Sequence, residues 1–133
     1  MAKAKQGELP ALSAAQLEIM HAIWDGGEVT VTDVWKVLSQ RRPVARNTIL
    51  TIMDRLEKKG WLNRRADGQT HYYAAAVPRA TTLGRVVKRL VDGAFAGSAE
   101  GLVLALLEGR GVSDEEARRI RKLIDDAQAR NKP

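Results

Sequence analysis

The 133-residue sequence contains no cysteine, and this absence excludes several kinds of chemistry at once. Without thiols, a disulfide framework, a thiolate zinc site and a cysteine nucleophile are all ruled out. Histidine is scarce too, because only His21 and His71 occur, and nothing in the sequence places them together or beside other ligands. The chain also lacks a glycine-rich phosphate loop and a Ser-His-Asp set. We therefore expect a protein that is not an enzyme and that needs no cofactor or metal.

Long apolar runs are also missing. No segment approaches the ~18 to 20 apolar residues that a membrane-spanning helix needs. The basic segment from Met1 to Gly7 has no apolar core of the kind found in signal peptides. We expect a cytoplasmic protein without membrane insertion. The net charge of +6 fits a nucleic-acid partner, although many other basic proteins share it.

The hydrophobic pattern predicts helices interrupted by one hairpin. Ser13 with Gln16, and later Ser113 with Glu116, have the spacing of capping boxes at helix starts. Thr30 is a candidate N-cap for the second helix. Asp67-Gly68 stands between two strand-like runs and is typical of a tight β-hairpin. The predicted order is helix, short strand, helix, helix, hairpin and three helices, and its first part is the order of a winged helix.

The fold class predicted from this order is mainly α with a small antiparallel β-hairpin wing. We divide the chain into a flexible N-terminal tail, a winged helix-turn-helix DNA-binding domain and a helical dimerisation domain. Their predicted ranges are 1–9, 10–76 and 77–133.

The third helix, predicted from Arg46 to about Lys59, is the candidate recognition helix. Its positions Ile49, Ile52, Met53 and Leu56 would face the core. A helix of this kind fits the major groove of B-DNA and reads base edges near its N-terminus. Asp54 shares the outer face, and we place it away from the DNA backbone because it would repel phosphate. The predicted base-reading residues are Arg46, Asn47, Thr48, Leu50 and Thr51, with Leu50 suited to a thymine methyl group.

Positive charge is concentrated around this helix. The stretch from Lys36 to Arg65 carries nine basic and two acidic residues, a net charge of +7. A basic run is often only a solvated face, so the charge alone does not indicate DNA binding. Together with the winged-helix order of the same segment, it favours a DNA-binding surface. Trp24, Trp35 and Trp61 could stack on single strands, but their apolar surroundings favour core packing. The residues expected at the DNA backbone or in the wing are Arg41, Arg42, Arg55, Arg64, Arg65, Gln69 and Thr70.

The last three predicted helices are too few and too short to enclose their own apolar surface. A symmetric dimer would cover it, and would also space two recognition helices along the DNA. The alternative is that these helices pack back on the winged domain as one monomeric core. The predicted dimerisation residues are Leu83, Val86, Val87, Leu90, Phe95, Leu102, Leu106, Ile120, Leu123 and Ile124.

Several segments together resemble a known family. Leu12-Ser13, Glu18-Ile19-Met20 and Ile23-Trp24 open the chain in the manner of the penicillinase and methicillin-resistance repressors, the BlaI/MecI family. The segment Asn47-Thr48-Ile49, Thr51-Ile52-Met53, Arg55-Leu56 and Lys58-Lys59-Gly60 resembles the family's recognition helix. Tyr72-Tyr73 and Phe95-Ala96-Gly97-Ser98 also match. The resemblance covers roughly Leu9 to Ala127.

This resemblance implies a homodimeric winged-helix repressor that binds palindromic operators of the TACA/TGTA type and controls β-lactam-resistance genes. In the family, a membrane sensor protease responds to β-lactam, and the repressor is then cleaved in its dimerisation domain. The matching region here is Leu102 to Leu107, and the candidate cleavage site is Ala105-Leu106 where the family has Asn-Phe. Copper-responsive relatives carry a C-terminal cysteine cluster, which this chain lacks.

The leading hypothesis is thus a dimeric, sequence-specific repressor that binds double-stranded DNA and is relieved by proteolysis. A second hypothesis, from another class, is a winged helix that docks a partner protein without sequence-specific DNA binding. Its basic face would meet an acidic surface, and an exposed Leu50 would be a main contact.

Overall fold

The computed structural model describes residues 9–132. In chain order the elements are α1 (Ala14–Gly26), β1 (Glu28–Val29), α2 (Val31–Ser39), α3 (Arg46–Lys58), β2 (Leu62–Asp67), β3 (Thr70–Ala75), α4 (Arg79–Ala94), α5 (Ala99–Gly109) and α6 (Asp114–Arg130). The predicted order and the mainly α fold class are confirmed. The predicted flexible tail lies outside the described residues except for Leu9, which is buried in the core rather than free.

Side-chain caps mark the starts of four helices: α1, α2, α5 and α6. The amide of Gln16 donates to the Ser13 hydroxyl at 3.1 Å, and the Gln16 side chain accepts from the Ser13 amide at 2.9 Å, as predicted. Thr30 and Asp33 form the same reciprocal pair at the start of α2.

The capping box predicted for α6 forms only in half. The Ser113 hydroxyl accepts from the Glu116 amide at 3.1 Å. The Glu116 carboxylate instead accepts from Arg110, at 3.1 Å and 3.4 Å. A full guanidinium charge therefore replaces the single backbone amide as the partner of this carboxylate.

The three strands form one antiparallel sheet in the order β1-β3-β2. The hairpin turn lies one residue later than predicted, because Asp67 pairs with Thr70 and the two turn residues are Gly68 and Gln69. Gly68 has a φ of 62°, whereas Gln69 is not among the residues with positive φ. A positive φ at the first turn residue alone is the pattern of a type II′ turn, which glycine supplies without strain. Gln69 is therefore part of the wing tip rather than of strand β3.

The first of two compact units extends to Gly84 and contains the core. Helices α1, α2 and α3 bury one face each against the sheet, with Ile23, Leu38 and Met53 among the fully buried side chains. Apolar burial of this kind contributes roughly 1.5–3 kcal/mol per large side chain.

The three tryptophans belong to this core, so the packing interpretation is confirmed. Each indole N–H donates to a backbone carbonyl outside the helices and strands: Trp24 to Val77, Trp35 to Val44 and Trp61 to Pro10, at 2.9, 2.8 and 3.1 Å. The tryptophans therefore fasten connecting segments to the core as well as filling it.

The second unit begins at Arg85 and is much less buried. Neither α5 nor α6 contains a buried residue. Within residues 9–132, no single helix is long and apolar enough to cross a membrane, while α4 and α5 together reach that length and composition but bend by 94° at the break between them.

Candidate nucleic-acid interface

Helix α3 is placed by its core face and by the segment before it. Helix α2 ends at Ser39, Pro43 lies in the connecting segment without an amide to donate, and the N-cap residue Ala45 is extended, with φ −77° and ψ 142°. Ile49, Met53 and Leu56 are buried, and Ile52 packs against the core from a partly buried position. Gly60 follows the helix with a φ of 96°, as expected for a left-handed residue after a C-cap. The remaining face of α3 is open to solvent.

That open face carries most of the predicted base-reading residues. Arg46, Asn47, Thr48 and Thr51 are all exposed on the first turns of α3. The Thr51 hydroxyl donates to the Asn47 carbonyl at 3.0 Å, so its oxygen retains lone pairs but its hydrogen is already used. Thr51 in this arrangement can accept from a base amino group but would have to break a helix contact to donate.

Arg46 forms a hydrogen bond with the neighbouring helix, α2. Its Nε donates to the Thr32 hydroxyl on α2 at 2.9 Å. Arg46 and Thr32 lie together in a cleft of about 300 Å³ between the helices and the hairpin. The other residues lining this cleft are Thr30, Val31, Leu50, Gln69, Thr70, His71 and Tyr73. The structure thus brings two predicted base-reading residues together with two predicted wing residues.

Leu50 was predicted to be an exposed apolar side chain, and the structure shows it less exposed than that. It is partly buried and packs against the core cluster. Because Leu50 also lines the cleft next to β3, its burial against the hairpin explains an apolar residue on this face without any partner. Only its remaining exposed part is available for a thymine methyl or for a docked protein.

Asp54 is turned toward the interior side of the hairpin. The hydroxyl of buried Tyr73 donates to its carboxylate at 3.4 Å. Burial raises the pKa of Tyr73, and the nearby Asp54 charge adds to the increase. The tyrosine therefore stays neutral and remains a donor, and the Asp54 carboxylate has a hydrogen-bond partner within the protein.

The basic residues before α3 are less free than the sequence suggests. Arg42 lies 2.6 Å and Arg41 3.7 Å from the carboxylate of Glu18 on α1. Glu18 stands outside the Lys36–Arg65 stretch, so the local charge of +7 overstates the positive charge that this surface presents. The side chains of Arg41 and Arg42 are 61% and 49% exposed, respectively. Both therefore remain within reach of solvent and of a phosphate.

Arg65 in the hairpin is held more tightly. Its Nε and Nη2 donate to the two carboxylate oxygens of Glu28 at 3.0 and 2.7 Å, and its guanidinium lies 4.8 Å from the Tyr72 ring centroid. The side-chain hydrogen bond from Arg65 lowers the pKa of Glu28, and the same bond raises the pKa of Arg65. Arg64 lies 3.9 Å from Glu57, a looser contact. Arg55, Gln69 and Thr70 are exposed.

The sequence did not predict the contacts that three residues make with the arginines of this surface: Thr32, Glu18 and Glu28. Their partners stand 14 to 37 positions away along the chain. No local motif signals such pairs. The Thr30–Asp33 capping box could have indicated that Thr32 lies on the first turn of α2, but not which residue it contacts.

The two histidines lie apart from any metal-binding cluster in the described residues. Between Leu9 and Lys132, no group of three or more His, Asp or Glu side chains is placed to hold a metal ion. His21 packs edge-on against Trp24, with ring centroids 5.4 Å apart. His71 instead lines the cleft beside Arg46.

The second unit presents most of the predicted dimerisation residues to solvent. Val86, Val87, Leu90, Leu106, Leu123 and Ile124 are 37–67% exposed, and Leu83, Phe95, Leu102 and Ile120 are partly buried. Three further apolar side chains of α5 share this exposure: Val103, Leu104 and Leu107. The candidate cleavage site Ala105-Leu106 lies in the middle of α5, in regular helix.

A three-helix unit with its third helix exposed beside a three-stranded sheet and its hairpin defines the winged helix-turn-helix class. The penicillinase repressor family model matches residues 12–126. The chain belongs to the penicillinase repressor family.

Individual relatives agree with this assignment. The chain is 27% identical to the penicillinase repressor of Bacillus licheniformis over 125 residues, which cover 94% of this chain and 98% of that protein. It is 25% identical to the methicillin resistance regulatory protein MecI of Mammaliicoccus sciuri, over 86% of this chain and 93% of that protein.

Solved structures support the fold. The solution structure of the DNA-binding domain of the repressor BlaI matches with a TM-score of 0.50 and 32% identity, over 56% of this chain and 90% of that domain. A MarR structure from E. coli matches with a TM-score of 0.52 over 88% of this chain and 78% of that protein, but at 19% identity it supports the fold alone.

Proposed function

We propose that this protein is a dimeric transcriptional repressor that binds a palindromic operator and reads it with helix α3. Membership of the penicillinase repressor family supports repression through DNA binding. The observation that carries the proposal to particular residues is the exposed polar face of α3, with Arg46, Asn47, Thr48 and Thr51 on its first turns. Side chains at the start of a recognition helix are those that reach base edges in the major groove.

The surrounding residues would position the protein rather than read sequence. Arg41 and Arg42 precede α3, Arg55 lies further along it, and Arg64, Arg65, Gln69 and Thr70 lie in the hairpin. Contacts from such residues to phosphates fix the register on the duplex without distinguishing bases.

The exposed apolar surface of the second unit supports the dimer. Leu123 is 67% and Leu104 55% exposed, in helices that bury none of their side chains. Covering such side chains with the same surface of a second chain removes them from water, and this burial stabilises the dimer by roughly 25 cal/mol per Å² of apolar surface. A two-fold dimer would present two copies of α3 and would match the symmetry of a palindrome.

Control of β-lactam-resistance genes is proposed from the relatives, which are named for penicillinase and methicillin resistance. Relief by a membrane sensor protease would require cleavage within the second unit. Proteases bind extended backbone, so the Ala105-Leu106 bond, which lies inside α5, would have to unwind before cleavage.

Fluorescence anisotropy tests this proposal with three labelled duplexes: a TACA/TGTA-type palindrome, one half of it, and a random sequence, each at several salt concentrations. We expect the palindrome to bind most tightly, with Asn47→Ala lowering the affinity for the palindrome more than the affinity for the random duplex. Arg42→Ala serves as the comparison, because loss of a phosphate contact should weaken both and reduce the salt slope by about 1. Equal binding of palindrome and random duplex would refute the proposed function for this type of operator.

A further inference from the structure

We propose that Thr32 is a positioning residue that orients Arg46 for base recognition. The inference rests on the proposed function, because it concerns how the Arg46 side chain of the DNA-reading face is oriented in the DNA-free protein. The observation behind it is the hydrogen bond from Arg46 Nε to Thr32 Oγ1 at 2.9 Å, which joins the first turn of α3 to the first turn of α2.

The chemistry of the guanidinium makes this contact useful. Arginine has five N–H donors, one on Nε and four on the two Nη atoms. The contact with Thr32 uses the Nε donor and leaves the four Nη donors for a guanine edge, which arginine binds through two parallel hydrogen bonds. The hydroxyl of Thr32 thus steadies the side chain without occupying the donors needed for recognition.

The position and the rotamer of Thr32 are both restricted. Thr32 lies within the Thr30–Asp33 capping box, whose two hydrogen bonds of 3.0 and 3.1 Å fix the start of α2. Its own side chain is β-branched and therefore restricted at χ1, and it is partly buried. A free arginine on a helix surface samples many rotamers, and fixing one of them before binding reduces the entropy lost on binding.

Arg46 differs in its partner from Arg42 and Arg65. Arg42 and Arg65 are paired with the carboxylates of Glu18 and Glu28. For Arg46, no carboxylate of residues 9–132 lies within ion-pair distance, and its partner is a neutral hydroxyl. The full positive charge is therefore retained at a fixed place, which suits a residue that meets an acceptor on DNA.

The test uses Thr32→Val, which removes the acceptor and keeps the shape, and Thr32→Ser, which keeps it. Thr81→Val on α4 is the matched control for replacing a partly buried threonine elsewhere in the first unit. Each substitution is made in the wild-type protein and in Arg46→Ala. Affinity is measured by anisotropy for a duplex that the wild-type protein selects from a randomised pool and for a random duplex.

We expect Thr32→Val to weaken binding of the selected duplex about fivefold, the equivalent of one net hydrogen bond, while random-duplex binding stays unchanged. Thr32→Ser and Thr81→Val should bind like wild type. In the Arg46→Ala background, Thr32→Val should have no further effect, because the residue it positions is gone.

Two outcomes overturn the inference. A fivefold loss that persists in Arg46→Ala would show that Thr32 contacts DNA itself, and an unchanged affinity of Thr32→Val for the selected duplex would show that its hydroxyl is not needed. The proposed function fails separately, if the wild-type protein selects no duplex over random sequence. Thermal unfolding of each variant identifies any loss that comes from misfolding, and Thr32→Ala, which also lacks the acceptor, takes the place of Thr32→Val if that variant is unfolded.

Discussion

Arg65 of β2 and Glu28 of β1 join through two hydrogen bonds that pass over β3, the strand between them. The guanidinium lies over the ring of Tyr72, its direct partner on β3. This contact ties β2 of the hairpin to the edge strand that follows α1. It also neutralises a cation that the sequence assigns to the DNA backbone.

Replacing Glu28 by glutamine should therefore strengthen binding to random duplex. The substitution frees the Arg65 charge for a phosphate, and the salt slope should become steeper by about 1. Salt-dependent anisotropy measures both effects. Glu108→Gln, which removes the same charge from the second unit, should leave them unchanged, and Arg65→Ala should cancel the gain of Glu28→Gln. An identical salt slope for Glu28→Gln and wild type would show that Arg65 does not reach the DNA backbone.

The same pair predicts a specific pH dependence. The hydrogen bond from Arg65 holds the pKa of Glu28 below its ordinary value of 4.5. A lowered carboxyl pKa means that the stabilisation is complete above pH 4.5 and is lost as the pH falls through the lowered pKa. NMR titration of the side-chain carboxyl carbon should give a midpoint below 4.5, which Arg65→Met should move back toward that value.

Asp25 provides the internal control for that titration. Arg79 lowers its pKa below 3.8, mainly through a side-chain hydrogen bond. Arg65→Met should leave the Asp25 midpoint unchanged, whereas Arg79→Met should raise it. A Glu28 midpoint at or above 4.5 in the wild-type protein would contradict the ion pair.

Leu123 offers a test of the proposed dimer that does not disturb the fold. Among the residues that the structure describes, its side chain is the most exposed of the large apolar ones, at 67%, so Leu123→Gln should cost the isolated chain little stability. In a dimer that covers this position, the same change should lower self-association at least tenfold, because about 1.5–3 kcal/mol of apolar burial is lost. Sedimentation equilibrium measures this, with Arg119→Gln on α6 as the control. Unchanged association would place the dimer interface elsewhere.

The turn between α4 and α5 contains a strained residue. Ala96 has a φ of 51°, the only positive φ of a non-glycine residue between Leu9 and Lys132. An alanine in this region costs roughly 1–2 kcal/mol, and a glycine costs about 0.5–1 kcal/mol in extra chain entropy. Ala96→Gly should therefore stabilise the second unit by up to about 1 kcal/mol in urea unfolding. Ala105→Gly, inside α5, should destabilise it by a similar amount, and equal effects of the two changes would rule out strain at Ala96.

The features predicted from sequence are those set by neighbours along the chain. The Ser13–Gln16 cap, the short β1 strand, the start of α3 after Pro43 and the core faces of the helices depend on spacings of a few residues. The hairpin turn moved by one residue because glycine favours the first position of a type II′ turn as readily as the second of a type I′ turn.

The contacts that tune the DNA-facing side chains were not predictable in this way. Glu18, Glu28 and Thr32 meet their arginine partners only after α1, α2 and the sheet have packed. The partial burial of Leu50 likewise depends on where the hairpin lies against α3. A sum of charges over a stretch of sequence misses such partners, because ion pairs form between residues that are close in space.

Selection from a randomised pool of duplex DNA, followed by sequencing of the bound fraction, examines sequence-specific operator recognition without assuming an operator. We predict enrichment of an inverted repeat whose two halves carry the same short sequence. The enrichment should disappear for Asn47→Ala and should collapse to a single half-site for Leu123→Gln. Recovery of unenriched, random sequence by the wild-type protein would contradict the conclusion that α3 reads DNA.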